Sequence, residues 1–510
     1  MPIAEAAADS LIAPGAAADA DGSVTLRELY DRAFTRATGA TLLPGNAVRI
    51  LRDGAENYAA WLAAIGAATH TILFESYLFD DDRVGRAFAE ALAAKAREGV
   101  RVRVVYDWLG SRGAEALWPV LRSAGAKVRC FNPFRFDSPL GWLSRDHRKT
   151  IAIDGRIGFV SGVCVSAAWH GDPRRRMEPW RDTGVEIRGP AVDDLEQAFA
   201  QVWLACSGPP LEVADVVPPG GDVPCGDVAV RVIAGTPNTG GVFRLDQLIA
   251  STAREYLWLT DAYFVGMAPY VQALCAAARD GVDVRLLVPG ASDIPALQPL
   301  SRAGYRPLLA AGVRVFEWNG TMLHAKSAVA DGIWSRVGST NLNFASWIQN
   351  WELDVAIEDA GFAAQMAAMY EQDLAHSTEI VLTRRNRVRT SRAPTSQARP
   401  RHAAAGSANR AAAGALSVGS ALGAALTNRR LLGPAESGLL VKLAVAALVL
   451  AALALWWPRL LAWPLAIVAA WLAVAMLGKA WTLRRRRRRG TPRSGGAGEG
   501  RKNGSPAVRP

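Results

Sequence analysis

Hydrophobic and polar residues follow the same order twice along the chain, over residues 71–106 and again over residues 256–288. Each copy opens with an apolar run, TILFESYLF or YLWLTDAYF, and continues with an alanine-rich stretch of helical character, residues 83–98 or 268–279. A second apolar run closes each copy and reads VRVRVVY or VDVRLLV. Apolar runs that alternate with helices are typical of βαβ units around a buried, largely parallel sheet. The pattern predicts an α/β body of two similar halves, related by a pseudo-two-fold axis.

The repeat also sets the expected domain boundaries. Both copies pass from helix to strand at a Gly-Val pair, and both contain a further helix–strand passage, SAGAKVRCF or AAGVRVFEW. A Pro- and Gly-rich stretch between the copies is interpreted as a linker. We expect the first half at residues 36–206, the linker at 207–226 and the second half at 227–383. The first residues are acidic and lack the basic segment of a signal peptide, so a disordered leader is expected at 1–35.

Beyond residue 383 the composition becomes that of a membrane-associated tail. Residues 384–434 are interpreted as a basic, low-complexity linker. Two apolar runs follow, at 439–457 and 460–477, and each is barely long enough to cross the hydrocarbon layer as a helix. Residues 435–483 are therefore predicted to form a transmembrane helical hairpin, and 484–510 a basic disordered tail. A buried hairpin in a soluble core is the alternative, but no partner elements flank the segment.

Charge is divided unevenly between the body and the tail. Residues 384–510 contain 23 Lys and Arg against 2 Asp and Glu, whereas residues 1–383 contain 35 against 45. An acidic body lacks the basic surface that nucleic acid binding requires, and a cationic tail beside apolar runs favours an anionic membrane as partner. Arginines flank both outer ends of the hairpin, so the positive-inside rule places both ends, and the body, on the cytoplasmic side. The five scattered cysteines show neither zinc spacing nor a disulfide framework, which favours a reduced, cytoplasmic fold.

The candidate chemistry is a histidine–lysine–aspartate motif that occurs once in each copy. The copies read HRKTIAID and HAKSAVAD, and both fit H-x-K-x4-D. The motif residues are His147, Lys149 and Asp154 in the first copy, and His324, Lys326 and Asp331 in the second. A Gly/Ser pair follows each motif, and an acidic residue follows later, Asp182 in the first half and Glu352 in the second. Two matches at equivalent places of a repeat are a far stronger signal than one.

These residue types suit the chemistry of a phosphodiester. Such a group is a poor electrophile because its anionic oxygens repel nucleophiles, so catalysis requires charge neutralisation, a nucleophile and an acid for the leaving alkoxide. Two lysines can neutralise the charge, one neutral imidazole can attack phosphorus, and the other imidazole can protonate the leaving oxygen. Asp182 and Glu352 can each accept a hydrogen bond from the second nitrogen of a histidine and thereby fix its tautomer.

The paired motifs resemble those of the phospholipase D superfamily, and segments such as ESYLF, WRDTGVEIRGPAV, DAYF and VGSTNLN resemble its bacterial cardiolipin synthase branch. The resemblance covers about residues 40–383. It implies cleavage without metal or cofactor, phosphate contacts from Lys149, Lys326, Ser339 and Asn341, and histidine-orienting roles for Asp182 and Glu352. The signature also includes Asp154 and Asp331, for which we expect structural hydrogen bonding more than chemistry. One position departs from the family pattern: Cys164, the counterpart of Asn341, offers a weaker donor than an amide.

The resemblance implies phosphatidyl transfer, and the arginines that flank the hairpin place this reaction at the cytoplasmic face of a bacterial inner membrane. Two phosphatidylglycerols would yield cardiolipin and glycerol through a phosphohistidine intermediate, and the resemblance favours His147 as the nucleophile. A hydrolytic phospholipase D, in which water resolves the intermediate, shares every residue named above. A nuclease of the same superfamily is opposed by the acidic body, and a catalytically inactive lipid-binding scaffold by the two complete motifs. Neither the second lipid, phosphatidylglycerol or phosphatidylethanolamine, nor the oligomeric state follows from the sequence.

Overall fold

A computed structural model of the chain describes residues 26–134, 143–175, 177–211, 224–294, 297–382 and 388–390, and scattered positions between 445 and 481. The helices are α1 Leu26–Thr38, α2 Asp53–Ala67, α3 Arg83–Arg97, α4 Leu117–Ser123, α5 Ala167–His170, α6 Ala191–Ala205, α7 Gly241–Thr252, α8 Ala268–Arg279, α9 Leu297–Ala311 and α10 Ala360–Ala375. Short 3-10 and π-helices occupy Pro173–Arg175 and Ala345–Gln349.

The described strands form a single sixteen-stranded sheet. The strands before the linker are β1 Leu43–Arg52, β2 Thr71–Ser76, β3 Arg101–Asp107, β4 Lys127–Phe131, β5 Lys149–Ile153, β6 Ile157–Ser161 and β7 Thr183–Arg188. Those after it are β8 Val228–Gly235, β9 Tyr256–Thr260, β10 Asp283–Pro289, β11 Arg314–Trp318, β12 Ser327–Ala330, β13 Trp334–Gly338, β14 Glu352–Glu358, β15 Ser377–Leu382 and β16 Val388–Thr390. The predicted repeat strands and helices agree with these bounds to within a few residues.

The strand order makes the two halves of the sheet mirror each other. From the centre outwards it runs β1-β7-β6-β5-β2-β3-β4 on one side and β8-β14-β13-β12-β9-β10-β11 on the other, with β15 and β16 beyond β11. The two equivalent strands β1 and β8 meet at the centre and pair antiparallel. Each half has its own apolar core, and a third cluster combines side chains of both, such as Val185 and Val355. The mixed α/β architecture with two similar halves is confirmed.

The expectation of a largely parallel sheet is wrong. Among the described strands, β2–β3–β4 and β9–β10–β11 are parallel, and the strands that carry the motifs run antiparallel to their neighbours. The cause is a tight turn after each motif strand. At Asp154-Gly155 and at Asp331-Gly332 both residues have positive φ, between 48° and 65°, a left-handed conformation that Asp-Gly pairs adopt readily in hairpin turns. The Asp-Gly pairs were therefore a readable hairpin signal within the motif itself.

Asp154 and Asp331 fasten these turns to the sheet. The carboxylate of Asp154 accepts hydrogen bonds from the backbone N–H groups of Thr69, His70 and Thr71, at 2.7–2.8 Å. Burial opposes ionisation of Asp154, but these bonds outweigh it and hold its pKa below the ordinary value. The carboxylate of Asp331 accepts in the same way from the backbone N–H groups of Arg254, Glu255 and Tyr256, where β9 begins. Both aspartates thus make hydrogen bonds that join the turn after a motif strand to the neighbouring strand.

The segment expected as a disordered leader is partly helical. Residues 26–35 belong to α1, which packs on α7 of the second half. Phe34 is buried in the core of that half, and Asp31 lies 2.6 Å from the buried guanidinium of Arg231. Apolar contacts and an ion pair thus hold α1 to the body. The helix was not predicted because low-complexity sequence directly precedes it.

The predicted transmembrane hairpin, 435–483, lies largely outside the described residues. At the scattered positions that are described there, the backbone is helical. Within the described parts of the chain, no helix is both long enough and apolar enough to span a bilayer.

Replacing Asp154 by Ala should lower the free energy of unfolding by about 2–4 kcal/mol, because three backbone N–H groups lose a charged acceptor. Urea denaturation monitored by circular dichroism measures the change. Asp81→Ala serves as the matched control, since its ion pair with Arg86 is exposed and should contribute little to stability. Equal stability of the two variants would contradict a stabilising role for the hydrogen bonds of Asp154.

Candidate functional site

The two predicted histidines meet in one cleft at the junction of the halves. His147 lies just before β5 and His324 just before β12, so the mirrored sheet brings equivalent segments together. Both imidazoles line this cleft, together with Cys164 and Asn341.

His147 is oriented by a carboxylate of the opposite half. Its Nδ1 lies 2.8 Å from Glu352 Oε2. The backbone reinforces this pairing, because His147 N–H donates to the carbonyl of Trp351 at 2.8 Å and Trp351 N–H donates to the carbonyl of Arg145 at 2.8 Å. Strand β14 of the second half therefore holds the first histidine in place.

His324 has the reciprocal arrangement. Its Nδ1 lies 2.9 Å from Oδ2 of Asp182, the residue that precedes β7 of the first half. His324 N–H donates to the carbonyl of Arg181 at 2.7 Å, and Arg181 N–H donates to the carbonyl of Met322 at 2.8 Å. The spacing of residues suggested one carboxylate for each histidine, and the structure shows that each pair crosses between the halves.

Further hydrogen bonds hold both carboxylates in position. Glu352 Oε2 also accepts from the Ser339 hydroxyl at 2.6 Å, and Asp182 Oδ2 accepts from the Trp169 indole N–H at 2.7 Å. A Cβ atom at Gly162 would lie 2.2 Å from Asp182 Oδ1, so only glycine allows this carboxylate to approach. Ser339, which the sequence predicts to contact phosphate, is fully buried, and its hydroxyl donates to Glu352.

Because a carboxylate can only accept, the Nδ1 atoms of His147 and His324 carry the proton and the Nε2 atoms keep their lone pairs. Burial lowers the pKa of both imidazoles, and that of His324 falls to about 3 because the Lys326 ammonium adds to the effect. Burial opposes ionisation of Asp182 and Glu352 as well, but the histidine partners and neighbouring lysines outweigh it and lower the pKa of each carboxyl. The site thus combines neutral imidazoles with ionised carboxylates.

The two lysines of the motifs are buried beside the histidines. Lys326 Nζ lies 2.8 Å from His324 Nδ1 and 3.0 Å from Nε2, and Lys149 Nζ donates to the carbonyl of His147. Each ammonium also lies over a tyrosine ring, Lys149 over Tyr77 and Lys326 over Tyr263, at 5.1 and 5.7 Å from the ring centroid. Burial lowers the pKa of Lys326 to about 8. Buried cations of this kind are suited to neutralise an anionic ligand.

The counterpart positions Cys164 and Asn341 differ as the sequence indicated. Burial raises the pKa of the Cys164 thiol, which therefore stays neutral and a weak donor. Asn341 is 3% exposed, its Nδ2 lies 3.5 Å from Ser346 Oγ, and its Oδ1 has no hydrogen-bond partner within the described residues. Asp154 and Asp331 lie at the far ends of the motif strands, away from the histidines.

Several residues of the site escaped prediction from the sequence. Tyr77 and Tyr263 place their rings 4.8 and 5.7 Å from His147 and His324, and both stand in segments that carried the family resemblance. The buried Arg148 donates to the carbonyls of Glu352, Ala198 and Gly235, which ties the first motif to the second half. Its position inside the first motif was the only signal. No group of three or more potential metal-binding side chains occurs in the described portion of the chain.

The chain is similar to known proteins both in sequence and in fold. A family model described as "Cardiolipin synthase, PLD-like domain" matches residues 61–203 and 245–374. Cardiolipin synthase A of Pseudomonas aeruginosa is 34% identical over 371 residues, which cover 70% of this chain and 73% of that protein. Cardiolipin synthase A of Pseudomonas putida is 33% identical over 362 residues, which cover 68% of this chain and 73% of that protein. The crystal structure of phosphatidylserine synthase from Haemophilus influenzae matches with a TM-score of 0.54 at 16% identity, over 68% of this chain and 91% of that one, which supports the fold.

The depressed pKa of His324, about 3, predicts how the site responds to acid. An unfolded histidine titrates near 6.5, so the unfolded chain binds more protons than the folded one as the pH falls below that value. Stability should therefore decrease from about pH 6.5 towards pH 3. Nitrogen NMR of the imidazoles should show no titration of His324 between pH 8 and 5, and a midpoint near 6.5 would contradict its buried neutral state.

Proposed function

Because the chain belongs to the cardiolipin synthase family of phospholipase D-like proteins, we propose that it is a phosphatidyltransferase that makes cardiolipin from two phosphatidylglycerols and releases glycerol. The observation that carries the proposal is the pair of cross-oriented imidazoles beside two buried ammonium groups in one cleft. A nucleophile, an acid and a cationic environment are the groups that phosphodiester exchange requires.

In the first step, Nε2 of one histidine attacks the phosphorus of the donor lipid while the bond from phosphorus to the headgroup oxygen breaks. The other histidine gives its proton to the departing glycerol oxygen. A phosphatidyl-histidine remains, and we assign the nucleophile to His147 on the family resemblance. In the second step, a glycerol hydroxyl of the second lipid loses its proton to His324, attacks phosphorus and releases the imidazole of His147.

The first step requires that one of the two imidazoles carries an extra proton, and the charges of the site account for this protonation. With neutral imidazoles, the ammonium groups of Lys149 and Lys326 balance the carboxylates of Asp182 and Glu352. A phosphodiester adds one negative charge, so protonation of one imidazole restores neutrality. Substrate binding should therefore raise the pKa of the acid histidine from its depressed resting value.

Membrane attachment completes the proposal, since both substrates reside in a bilayer. We propose that the apolar residues 435–483 anchor the body to an anionic bacterial inner membrane, with the catalytic cleft on the cytoplasmic side. Large apolar side chains at described positions of this segment are exposed, among them Leu455 at 85% and Trp456 at 81%. Anchoring raises the local concentration of enzyme at its substrate.

Product analysis tests the proposed reaction. Phosphatidylglycerol dispersed in detergent should give cardiolipin and glycerol in equal amounts, and a chelator should leave the rate unchanged. His147→Ala and His324→Ala should each reduce the rate at least about a thousandfold, because each removes a separate step of the transfer. The exposed His376 provides the matched control, and His376→Ala should retain the wild-type rate. Phosphatidic acid as the main product would instead identify a hydrolytic phospholipase D.

Truncation after residue 390 tests the anchor, since it preserves β16 and removes the apolar runs. The remaining body is acidic, so an anionic bilayer should repel it. We expect most of the activity on phosphatidylglycerol vesicles to be lost, and activity on detergent-dispersed substrate to be retained. Replacing the six arginines at 484–489 by glutamine in the full chain is the control, and should reduce vesicle binding much less. A truncated body that processes vesicles as well as the full chain would contradict anchoring by this segment.

A further inference from the structure

The two halves present unlike walls to the cleft although they are built on the same pattern. The segments that follow β6 and β13 are equivalent, but one forms the short helix α5 and the other the π-helix Ala345–Gln349. Twenty-two residues after His147 stands Trp169, and twenty-two residues after His324 stands Ser346. An isolated π-helical turn is uncommon and frequently occurs at functional sites.

The half-two wall is polar and the half-one wall is largely apolar. The polar side chains that line the cleft from the second half include Asn341, Asn343, Ser346, Gln349 and Asn350, here called the amide wall. From the first half the lining includes Leu78, Leu109, Trp169 and Trp180. A phosphatidylglycerol phosphate is equally asymmetric, because one ester carries a diacylglycerol and the other a small polyol.

The amide wall is hydrogen-bonded to the first half and retains hydrogen-bonding capacity. The carbonyl of Gln349 accepts from the Ser144 hydroxyl at 2.8 Å, and Asn350 Oδ1 accepts from the N–H of Arg145 at 3.3 Å. Asn341 Oδ1 is buried at the cleft and has no partner among the described residues. A buried acceptor without a partner is costly, and a ligand hydroxyl that donates to it would remove that cost.

We propose that the amide wall, through Ser346 and Gln349 in particular, is a glycerol subsite that binds first the leaving headgroup and then the attacking headgroup of the second phosphatidylglycerol. The inference rests on the proposed transfer reaction. In an in-line displacement the second alcohol enters where the first one left, so one subsite serves both steps. Bound there, a glycerol hydroxyl is favoured over water as the acceptor of the phosphatidyl group.

The ratio of cardiolipin to phosphatidic acid measures this subsite separately from the first step. Both products arise from the same phosphatidyl-histidine, one by attack of a glycerol hydroxyl and the other by attack of water. The attacking oxygen gives its proton to the second histidine, and the bond from phosphorus to nitrogen breaks in both cases. The ratio therefore depends only on how well each acceptor is bound and oriented.

The experiment compares full-length Gln349→Leu and Ser346→Ala with the wild type on phosphatidylglycerol in mixed micelles. We expect the ratio of cardiolipin to phosphatidic acid to fall about three- to tenfold in Gln349→Leu, the effect of one lost hydrogen bond, and to fall also in Ser346→Ala. Gln365→Leu, on the exposed face of α10, is the matched control and should keep the wild-type ratio. Unchanged ratios in both wall variants would overturn the subsite, whereas a wild type that makes no cardiolipin would overturn the proposed function.

Isotope-labelled free glycerol identifies the part of the lipid that the wall contacts. Its exchange into phosphatidylglycerol requires only the polyol, and in Gln349→Leu it should fall by the same factor as the product ratio. Exchange at the wild-type rate, with reduced cardiolipin, would place the contact elsewhere on the second lipid and overturn a glycerol subsite. Ser346→Ala removes one buried oxygen atom only, so it keeps the test decisive if Gln349→Leu proves unstable in a thermal melt.

Discussion

The structure depends on a reciprocal constraint, in which each histidine is oriented by a carboxylate of the opposite half. His147 requires Glu352, and His324 requires Asp182, with a backbone hydrogen bond beside each pair. Neither half can therefore assemble a working site alone, although each contains a complete motif. The antiparallel contact of β1 with β8 at the centre of the sheet is the geometry that permits the exchange. Shared core residues and the buried Arg148 make the two halves interdependent.

The crossed histidine–carboxylate pairs also determine the balance of charge in the site. Four charged groups lie buried within one site, and burial of charge is unfavourable unless partners compensate it. Each carboxylate receives at least two hydrogen bonds, and each ammonium contacts a carbonyl and an aromatic face. The imidazoles remain neutral because burial lowers the pKa of each, and the neighbouring lysines add to the effect. An anionic substrate changes that balance, and the same groups that stabilise the empty site then favour an imidazolium.

Much of this organisation was readable from the sequence, and what was not has a physical reason. The repeat, its strands and helices and the motif residues depend on local patterns, which periodicity and spacing record. The crossed pairing of His147 with Glu352 does not depend on a local pattern. The sequence alone therefore does not indicate which copy supplies the carboxylate for a given histidine. The Asp-Gly pairs indicate that each motif strand turns back into an antiparallel neighbour. The apolar runs do not indicate this direction, because a strand buried on both faces has the same hydrophobic pattern in a parallel and in an antiparallel sheet. Ser339 directly follows β13, is fully buried and donates to Glu352, and sequence spacing does not reveal such burial.

Duplication produced a nearly symmetric pair of imidazoles, yet the proposed reaction acts on an asymmetric lipid, so the asymmetry has to come from the surroundings. The clearest difference lies at equivalent positions 17 residues after each histidine, where one half has Cys164 and the other Asn341. A buried neutral thiol offers little hydrogen bonding, whereas the carboxamide offers both a donor and an acceptor. The same contrast continues from Trp169 to Ser346. Hydrogen-bonding side chains of the cleft are thereby concentrated in the second half, while each half contributes one histidine. Substitutions in the wall that the second half presents to the cleft can therefore change which acceptor alcohol is bound. They leave intact the crossed histidine–carboxylate pairs on which the proposed transfer depends.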